Sequence, residues 1–288
     1  MSFMKMFPDD MACIDWLVEK RNPNGIVCKK CECVTKHHWS ESVRAHACQE
    51  CGWHYHVTAG TIFHGTRTSL VIWFYVVWQL SNTRGGVSAK AVERETGVTY
   101  KTAYRMCKLI RQQLDEGKNP LGGEDMTVEV GESYFGAKSK EGKRGRGSEN
   151  KVPVIGLVER GGRIHTQVID NVKKSTLQPI IEDIVEDGTT VMTDELASYN
   201  GVKYAGYDHY QIMHSSKVYV NGNVHTNTIE GFWGNFKMGV TGTHHHVSNK
   251  CLQMYLNEHG FRYNHRNDTR PMFLSMIDRM ALPSDHMK

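Results

Sequence analysis

Met126-Thr127-Val128-Glu129-Val130-Gly131-Glu132-Ser133-Tyr134-Phe135 is the stretch at which the chain changes period. Upstream of it, apolar residues recur at helical spacing. Within it they alternate, as a strand with one buried face requires. Working outward, residues 152–159 and 163–170 flank Gly161-Gly162 and read as a hairpin. Residues 175–187 read as a helix capped by Ser175, and 189–193 as a strand. A weaker strand lies near 207–213, and helices are expected over 227–237 and 248–263. Strand, strand, strand, helix, strand, strand, helix, helix is the order of an α/β domain with helices packed on a mixed sheet.

On the amino-terminal side, Gly117-Lys118-Asn119-Pro120-Leu121-Gly122-Gly123-Glu124 reads as a linker and a domain boundary. Before it, residues 88–95 and 99–114 form two helices around the tight turn Thr96-Gly97-Val98. On the second helix Lys101, Arg105, Lys108 and Arg111 fall on one side at helical spacing. Ala103, Met106, Cys107, Ile110 and Leu114 fall on the other. A helix–turn–helix with one packing face and one basic face can present the latter to phosphates or a major groove. An ordinary three-helix bundle with a solvated basic face is the competing reading.

Residues 68–80 form an aromatic-rich buried helix, and 8–20 a short amphipathic one with acids in its first turn. Between them, Cys28-x-x-Cys31 and Cys48-x-x-Cys51 are separated by 16 residues. Two tight turns, each directing two thiolates to one point, suit a structural zinc ion in a ribbon. Cys13, Cys107 and Cys251 sit in helical context and read as core thiols; His54 and His56 read as surface residues. The expected organisation is a helix and zinc ribbon over 1–65, a helix–turn–helix domain over 66–118, the α/β domain over 125–270 and a tail over 271–288.

The 288 residues suit one catalytic domain with smaller appendages, and the net charge of +4 permits an anionic partner without requiring one. No run of about 18 apolar residues is present, which argues against a membrane span. The amino terminus lacks a charged-then-apolar signal pattern, and paired cysteines fit a metal in a reducing compartment. A cytoplasmic, nucleoid-associated location is the expectation.

Acidic residues in order carry the chemistry. Asp194 closes the strand Thr189-Thr190-Val191-Met192-Thr193, and Glu230 opens the helix Asn227-Thr228-Ile229-Glu230-Gly231-Phe232-Trp233. Carboxylates at a strand end and on a facing helix can converge to hold two magnesium ions about 4 Å apart for phosphoryl transfer. Lys237, seven residues after Glu230, is placed to contact a substrate phosphate. The glycine-rich loop with Lys138, Lys140, Lys143, Arg144 and Arg146 is either a solvated segment or a backbone-phosphate contact. His244-His245-His246 lacks companion ligands at suitable spacing and gives no metal expectation.

With these residues in place, the chain resembles bacterial insertion-sequence transposases that join a zinc ribbon, a helix–turn–helix and a DDE-type ribonuclease H-like domain, relatives of the eukaryotic Merlin transposases. The resemblance rests on Arg21-Asn22-Pro23-Asn24-Gly25, Thr58-Ala59-Gly60-Thr61-Ile62-Phe63 and Gly97-Val98-Thr99-Tyr100-Lys101-Thr102-Ala103. It continues through Tyr134-Phe135-Gly136, Arg144-Gly145-Arg146-Gly147, Thr226-Asn227-Thr228-Ile229-Glu230-Gly231-Phe232-Trp233 and Asn257-Glu258-His259-Gly260-Phe261-Arg262-Tyr263-Asn264.

The resemblance implies that Asp194 is the second catalytic acid, Glu230 the third and Lys237 the trailing lysine. The first acid falls at Gly131, so this copy departs from the pattern there. Glu129 shares that strand face but is displaced by about 7 Å, and Glu132 points to the opposite face unless the strand bulges. By resemblance the partners are duplex terminal inverted repeats and target DNA, bound by a homodimer or higher assembly. The activity is two-metal strand cleavage and strand transfer, impaired by Gly131. The alternative is a catalytically inactive DNA-binding descendant. A zinc-ribbon transcription regulator would leave Asp194, Glu230 and Lys237 unused.

Overall fold

The computed structural model describes residues 3–136, 151–213 and 222–284. The chain divides into two compact units: residues 1–83, 87–114 and 268–288 in one, residues 84–86 and 115–267 in the other.

The first unit opens with α1 (Phe3–Met6) and α2 (Asp10–Arg21). Asp9 starts α2, its carboxylate accepting from the Ala12 N–H at 2.9 Å. The cysteine module follows as a β1 (Val27–Cys28) and β2 (Cys33–Val34) hairpin and a three-stranded antiparallel sheet. That sheet has the order β3 (His37–Ser40), β4 (Ala45–Cys48), β5 (His54–Tyr55). Helix α3 (Leu70–Asn82) is apolar nearly all round and buries Leu70, Trp73, Phe74, Val76, Val77 and Leu80, as a central helix must. Helices α4 (Ala89–Thr96) and α5 (Tyr100–Gln113) have the expected punctuation. Ser88 and Thr99 accept first-turn N–H groups, and Gly97 takes the left-handed conformation (φ 72°) that closes α4.

The second unit is built on a mixed five-stranded sheet of order β12-β11-β7-β8-β9. A two-residue strand, β6 (Leu121–Gly122), precedes it. The sheet then takes β7 (Thr127–Phe135), β8 (Val152–Glu159) and β9 (Ile164–Val168), paired antiparallel in sequence. Helix α6 (Lys174–Ile184) leads to β10 (Val185–Glu186), which pairs parallel with β6. Strand β11 (Thr190–Asp194) lies parallel to both β7 and β12 (Asp208–Ile212). Helices α7 (Asn227–Gly239) and α8 (Leu252–Asn264) complete the unit. Three antiparallel strands followed by two parallel ones, with the first strand at the centre, is the expected ribonuclease H-like arrangement.

Alternation splits the core into two layers. Val128, Val130, Ile155, Leu157 and Val191 face Leu177, Ile181 and Ile184 of α6. Phe135, Val154, Val158 and Ile164 face Ile229, Phe232, Trp233 and Phe236 of α7, with Leu252 and Leu256 of α8.

Three expectations change. Ser175 lies inside α6 rather than capping it: the N-cap is Lys173, and Asn171 Oδ1 accepts from the Lys173 N–H and the Thr176 hydroxyl instead. The last long helix begins at Leu252, because residues 240–244 and 249–251 make separate turns of their own. The supposed carboxyl-terminal tail forms α9 (Met272–Ala281), which buries Phe273, Met276, Ile277 and Met280. Within the first unit, Phe273 meets Phe3 and Phe7, and Gln113 donates to the Arg279 and Pro283 carbonyls. An amphipathic helix whose apolar stripe is taken up by its own unit cannot be a free tail.

Candidate active site and nucleic-acid interface

Glu230 lies in the first turn of α7, and Asp194 closes β11. Met192 of β11 pairs with Glu129 of β7, so alternation puts Asp194 and Gly131, two residues further along each strand, on the same side. That side faces α7: a Cβ built on Gly131 would lie 3.2 Å from Ile229 Cγ2. Glu230 follows Ile229 in the first turn of α7. Its Oε1 accepts from the Thr226 hydroxyl at 2.8 Å, and Asp194 Oδ1 accepts from the Leu196 N–H at 2.9 Å. Asp194 is half-buried and Glu230 exposed. These two carboxylates do not form a three-ligand oxygen site: among the described residues, the four cysteines are the only group of three or more metal-ligating side chains so close together.

Both neighbouring acids of β7 are engaged elsewhere. Glu129 is 0% exposed and its oxygens are engaged on every side. Oε1 accepts from Arg160 Nε at 2.7 Å and from the Thr228 hydroxyl at 2.9 Å. Oε2 accepts from the Thr228 and Ile229 N–H groups at 2.8 and 3.1 Å. Those amides belong to the first turn of α7, where a carboxylate is stabilised by unpaired N–H groups and the helix dipole. Arg160 also donates to the Asn223 and His225 carbonyls, tying the approach to α7 to the same carboxylate. Glu132 lies on the other face of β7, in regular register with Ile155, and accepts from the Tyr199 hydroxyl at 3.0 Å. The strand has no bulge there to turn it.

Lys237 is two turns beyond Glu230 and sits over the Phe135 ring, its Nζ 5.6 Å from the centroid. Burial lowers its pKa, and the charge of Lys151 lowers it further. Two lysines close enough to depress one of them make a place where an anion is welcome. Lys151, just before β8, has no sequence signal of its own; it stands alone between a glycine-rich loop and a strand and belongs to no periodic stripe. The expected phosphate contacts Lys143, Arg144 and Arg146 lie outside the described residues.

In the first unit the four cysteine sulfurs lie within 4.8 Å of one another. Cys28 and Cys51 approach to 3.5 Å and Cys31 and Cys48 to 3.9 Å. A tetrahedral zinc with bonds of about 2.3 Å sets its sulfurs roughly 3.8 Å apart, so the cradle fits that ion. The Thr35 hydroxyl, 3.2 Å from Cys48 Sγ, holds that thiol well down, at about 6, towards the thiolate a metal requires.

Helix α5 exposes Lys101, Arg105 and Lys108 as expected. Arg111 is a correction: it is 1% exposed and donates to the Val87 carbonyl at 2.7 Å. One further turn along the helix, the basic stripe has rotated into the core of the unit. Tyr100 and Tyr104 occupy the exposed face instead, their rings stacked at 6.3 Å. Their spacing of four is legible in the sequence, but aromatic pairs on a helix usually signal core.

Comparison with known proteins points to transposases. The family model described as the ISXO2-like transposase domain matches residues 120–264. A Halobacterium salinarum protein described as an uncharacterized protein in transposable element ISH50 is 28% identical over 245 residues, covering 79% of this chain and 82% of that relative. An uncharacterized transposase-like protein of Haemophilus influenzae is 30% identical over 102 residues, covering 35% of this chain and 81% of that relative.

Proposed function

The chain belongs to the ISXO2-like transposase family, and from that premise we propose that it binds the terminal inverted repeats of a mobile element, with its strand-cleaving and strand-joining chemistry impaired at Gly131. Helix α5, through Lys101, Arg105 and Lys108, and the zinc ribbon supply the duplex contacts. Asp194, Glu230 and Lys237 are the remnants of a magnesium-dependent phosphoryl-transfer site. Such a site works on two synapsed ends, so a dimer or larger assembly on DNA belongs to the proposal. No helix among the described residues is long and apolar enough to cross a membrane.

The observation that carries this reading is the engagement of Glu129. With both of its oxygens committed to Arg160 and to α7, Glu129 leaves β7 without an uncommitted carboxylate on the face that carries Gly131. Removing one of three acids takes the formal charge of the site from about −3 to −2 and deletes a ligand shared by both ions. The deciding experiment is a magnesium-dependent cleavage and strand-transfer assay on the flanking repeats. The unmodified chain should bind the repeats and cut little or not at all, and Gly131→Asp should restore cutting. Robust cutting by the unmodified chain overturns the assignment of residue 131. Gly131 also favours a second reading, a catalytically dead DNA-binding descendant; repeats bound with no cutting even by Gly131→Asp would select it.

A further inference from the structure

Helix α7 has a second exposed edge that the candidate active site does not use. At 100° per residue, Lys237 and Gly234 lie within about 40° of Glu230, while Asn235 is turned by about 140° and Gly239 by about 180°. Ile229, Phe232, Trp233 and Phe236 fill the buried arc between. Along the far edge runs an open groove of about 750 Å³, and its lining includes Arg84, Asn235, Thr243, Arg262, Tyr263 and Arg266. All of these residues belong to the second unit.

The charge of this groove is one-sided. Arg262 is paired with the buried carboxylate of Glu258 and contributes no surplus. His259 stays neutral near neutral pH, because burial holds it down at about 4. Arg84 and Arg266 are both exposed and set the sign. Arg266 is held in place: its guanidinium stacks 3.9 Å from the centre of the Tyr263 ring and donates to the Gly162 carbonyl at 2.9 Å. A fixed guanidinium fork on an aromatic plate, with a second cation and neutral amide and hydroxyl groups beside it, matches a sugar–phosphate chain better than a carboxylate surface. Gly85 and Gly239 belong to the same lining, and a Cβ built on Gly85 would come 2.9 Å from Thr243 Oγ1.

We propose that this Arg84–Arg266–Tyr263 groove is a second DNA-backbone site, gripping phosphates on the edge of α7 remote from Glu230. It rests on the reading that the chain works on DNA. The groove extends the exposed arc of α7, so a duplex laid across the helix meets Lys237 at one edge and the arginines at the other. Its contacts are to backbone, so it adds affinity and orientation without sequence preference.

The test uses the full zinc-loaded chain and a random-sequence duplex, with affinity measured by fluorescence anisotropy across a salt series. Arg84→Ala with Arg266→Ala should reduce the slope of log affinity against log salt by about 1.8, which is roughly 0.9 for each phosphate no longer neutralised. Arg84→Glu alone should weaken binding more than Arg84→Ala, an ordering that a merely structural role does not produce. The reference is Lys101→Ala, Arg105→Ala, Lys108→Ala in helix α5. An unchanged slope for the groove variant while the α5 variant binds more weakly overturns the groove and leaves the proposed function standing. No DNA binding by the unmodified chain overturns both. Saturable binding of free dAMP that competes with the duplex and disappears in the groove variant also overturns the proposal, since the groove would then be a nucleotide pocket.

Discussion

Replacing Glu129 should unfasten α7 while leaving the sheet intact. The side chain is completely buried and ion-paired with Arg160 at 2.7 Å, with three further donors from Thr228 and Ile229. Glu129→Ala takes the charge partner from Arg160, which keeps its bonds to the Asn223 and His225 carbonyls, and leaves two helix N–H groups without their acceptor. Deleting one partner of a buried pair costs about 3–5 kcal/mol. For a unit of this size that corresponds to a fall in melting temperature on the order of 10 °C. Glu129→Gln keeps the shape, but its amide must turn a donor either towards Arg160 or towards the Thr228 and Ile229 amides. An unmade hydrogen bond of that kind costs about 1–3 kcal/mol. The assay is thermal melting together with amide exchange at Thr228, Ile229 and Glu230. Both variants should lower the melting temperature, alanine more than glutamine, and exchange should quicken at the start of α7 before it quickens in β8. Wild-type exchange at Thr228 and Ile229 in Glu129→Gln would refute the clamp and reopen Glu129 as a metal ligand.

Other outcomes follow from the same geometry. One zinc per chain should be found by elemental analysis, and Cys48→Ser should lose it along with the order of the β3-β4-β5 sheet, because ribbon folding is metal binding. Arg111→Ala should destabilise the first unit without changing the salt slope of DNA binding, whereas Lys101→Ala and Arg105→Ala should change the slope and leave melting unaffected; the reverse pattern would return Arg111 to the interface. Acid should loosen the second unit. His259 titrates near 4 instead of 6.5 because it is buried, so its unfolded form takes a proton first and stability falls from pH 6.5 towards 4, by about 3 kcal/mol in the limit. His259→Leu should flatten that segment of the melting-temperature profile. Glu116 adds a lower step. Burial raises its pKa, but hydrogen bonds from His265 and Asn264 and the charge of Arg163 bring it below the ordinary value, so its contribution is complete above about 4.5 and lost below.

The parts legible in the sequence are those that local chemistry dictates. Alternation in β7, the glycine turn at Gly97 and the two CxxC turns each follow from spacing alone, and the structure keeps them. What spacing does not give is the partner of a residue. Glu129 reads as a displaced ligand because its Arg160 and α7 partners, 31 and about 100 residues away, leave no local trace. Arg111 reads as interfacial because a helix wheel shows direction but not what stands opposite; Val87 and the rest of the unit stand there. Helix α9 reads as a tail for a related reason. Met272 to Ala281 is amphipathic, yet the partners that make it a core element, Phe3 and Phe7, are at the other end of the chain.

The same distinction separates the two glycines under α7. Gly131 and Gly156 are directly paired across β7 and β8, and both face the helix. At Gly156 an added Cβ would sit 2.6 Å from the Trp233 ring and 2.7 Å from Ile229 Cδ1, so a side chain there forces α7 away from the sheet. Overpacking of that kind costs about 1–3 kcal/mol. At Gly131 the closest atom is Ile229 Cγ2 at 3.2 Å, a tight contact that asks Ile229 to give by a few tenths of an ångström. Replacing a strand glycine also returns about 0.4–1 kcal/mol by restricting the unfolded chain. Gly131→Ala should therefore change stability by less than about 1 kcal/mol, and Gly156→Ala should be clearly destabilising, as chemical denaturation of the two variants can measure. If the two cost the same, packing beneath α7 explains both glycines. If they differ as expected, the sheet has room for a small side chain at 131, and packing beneath α7 does not by itself require glycine there.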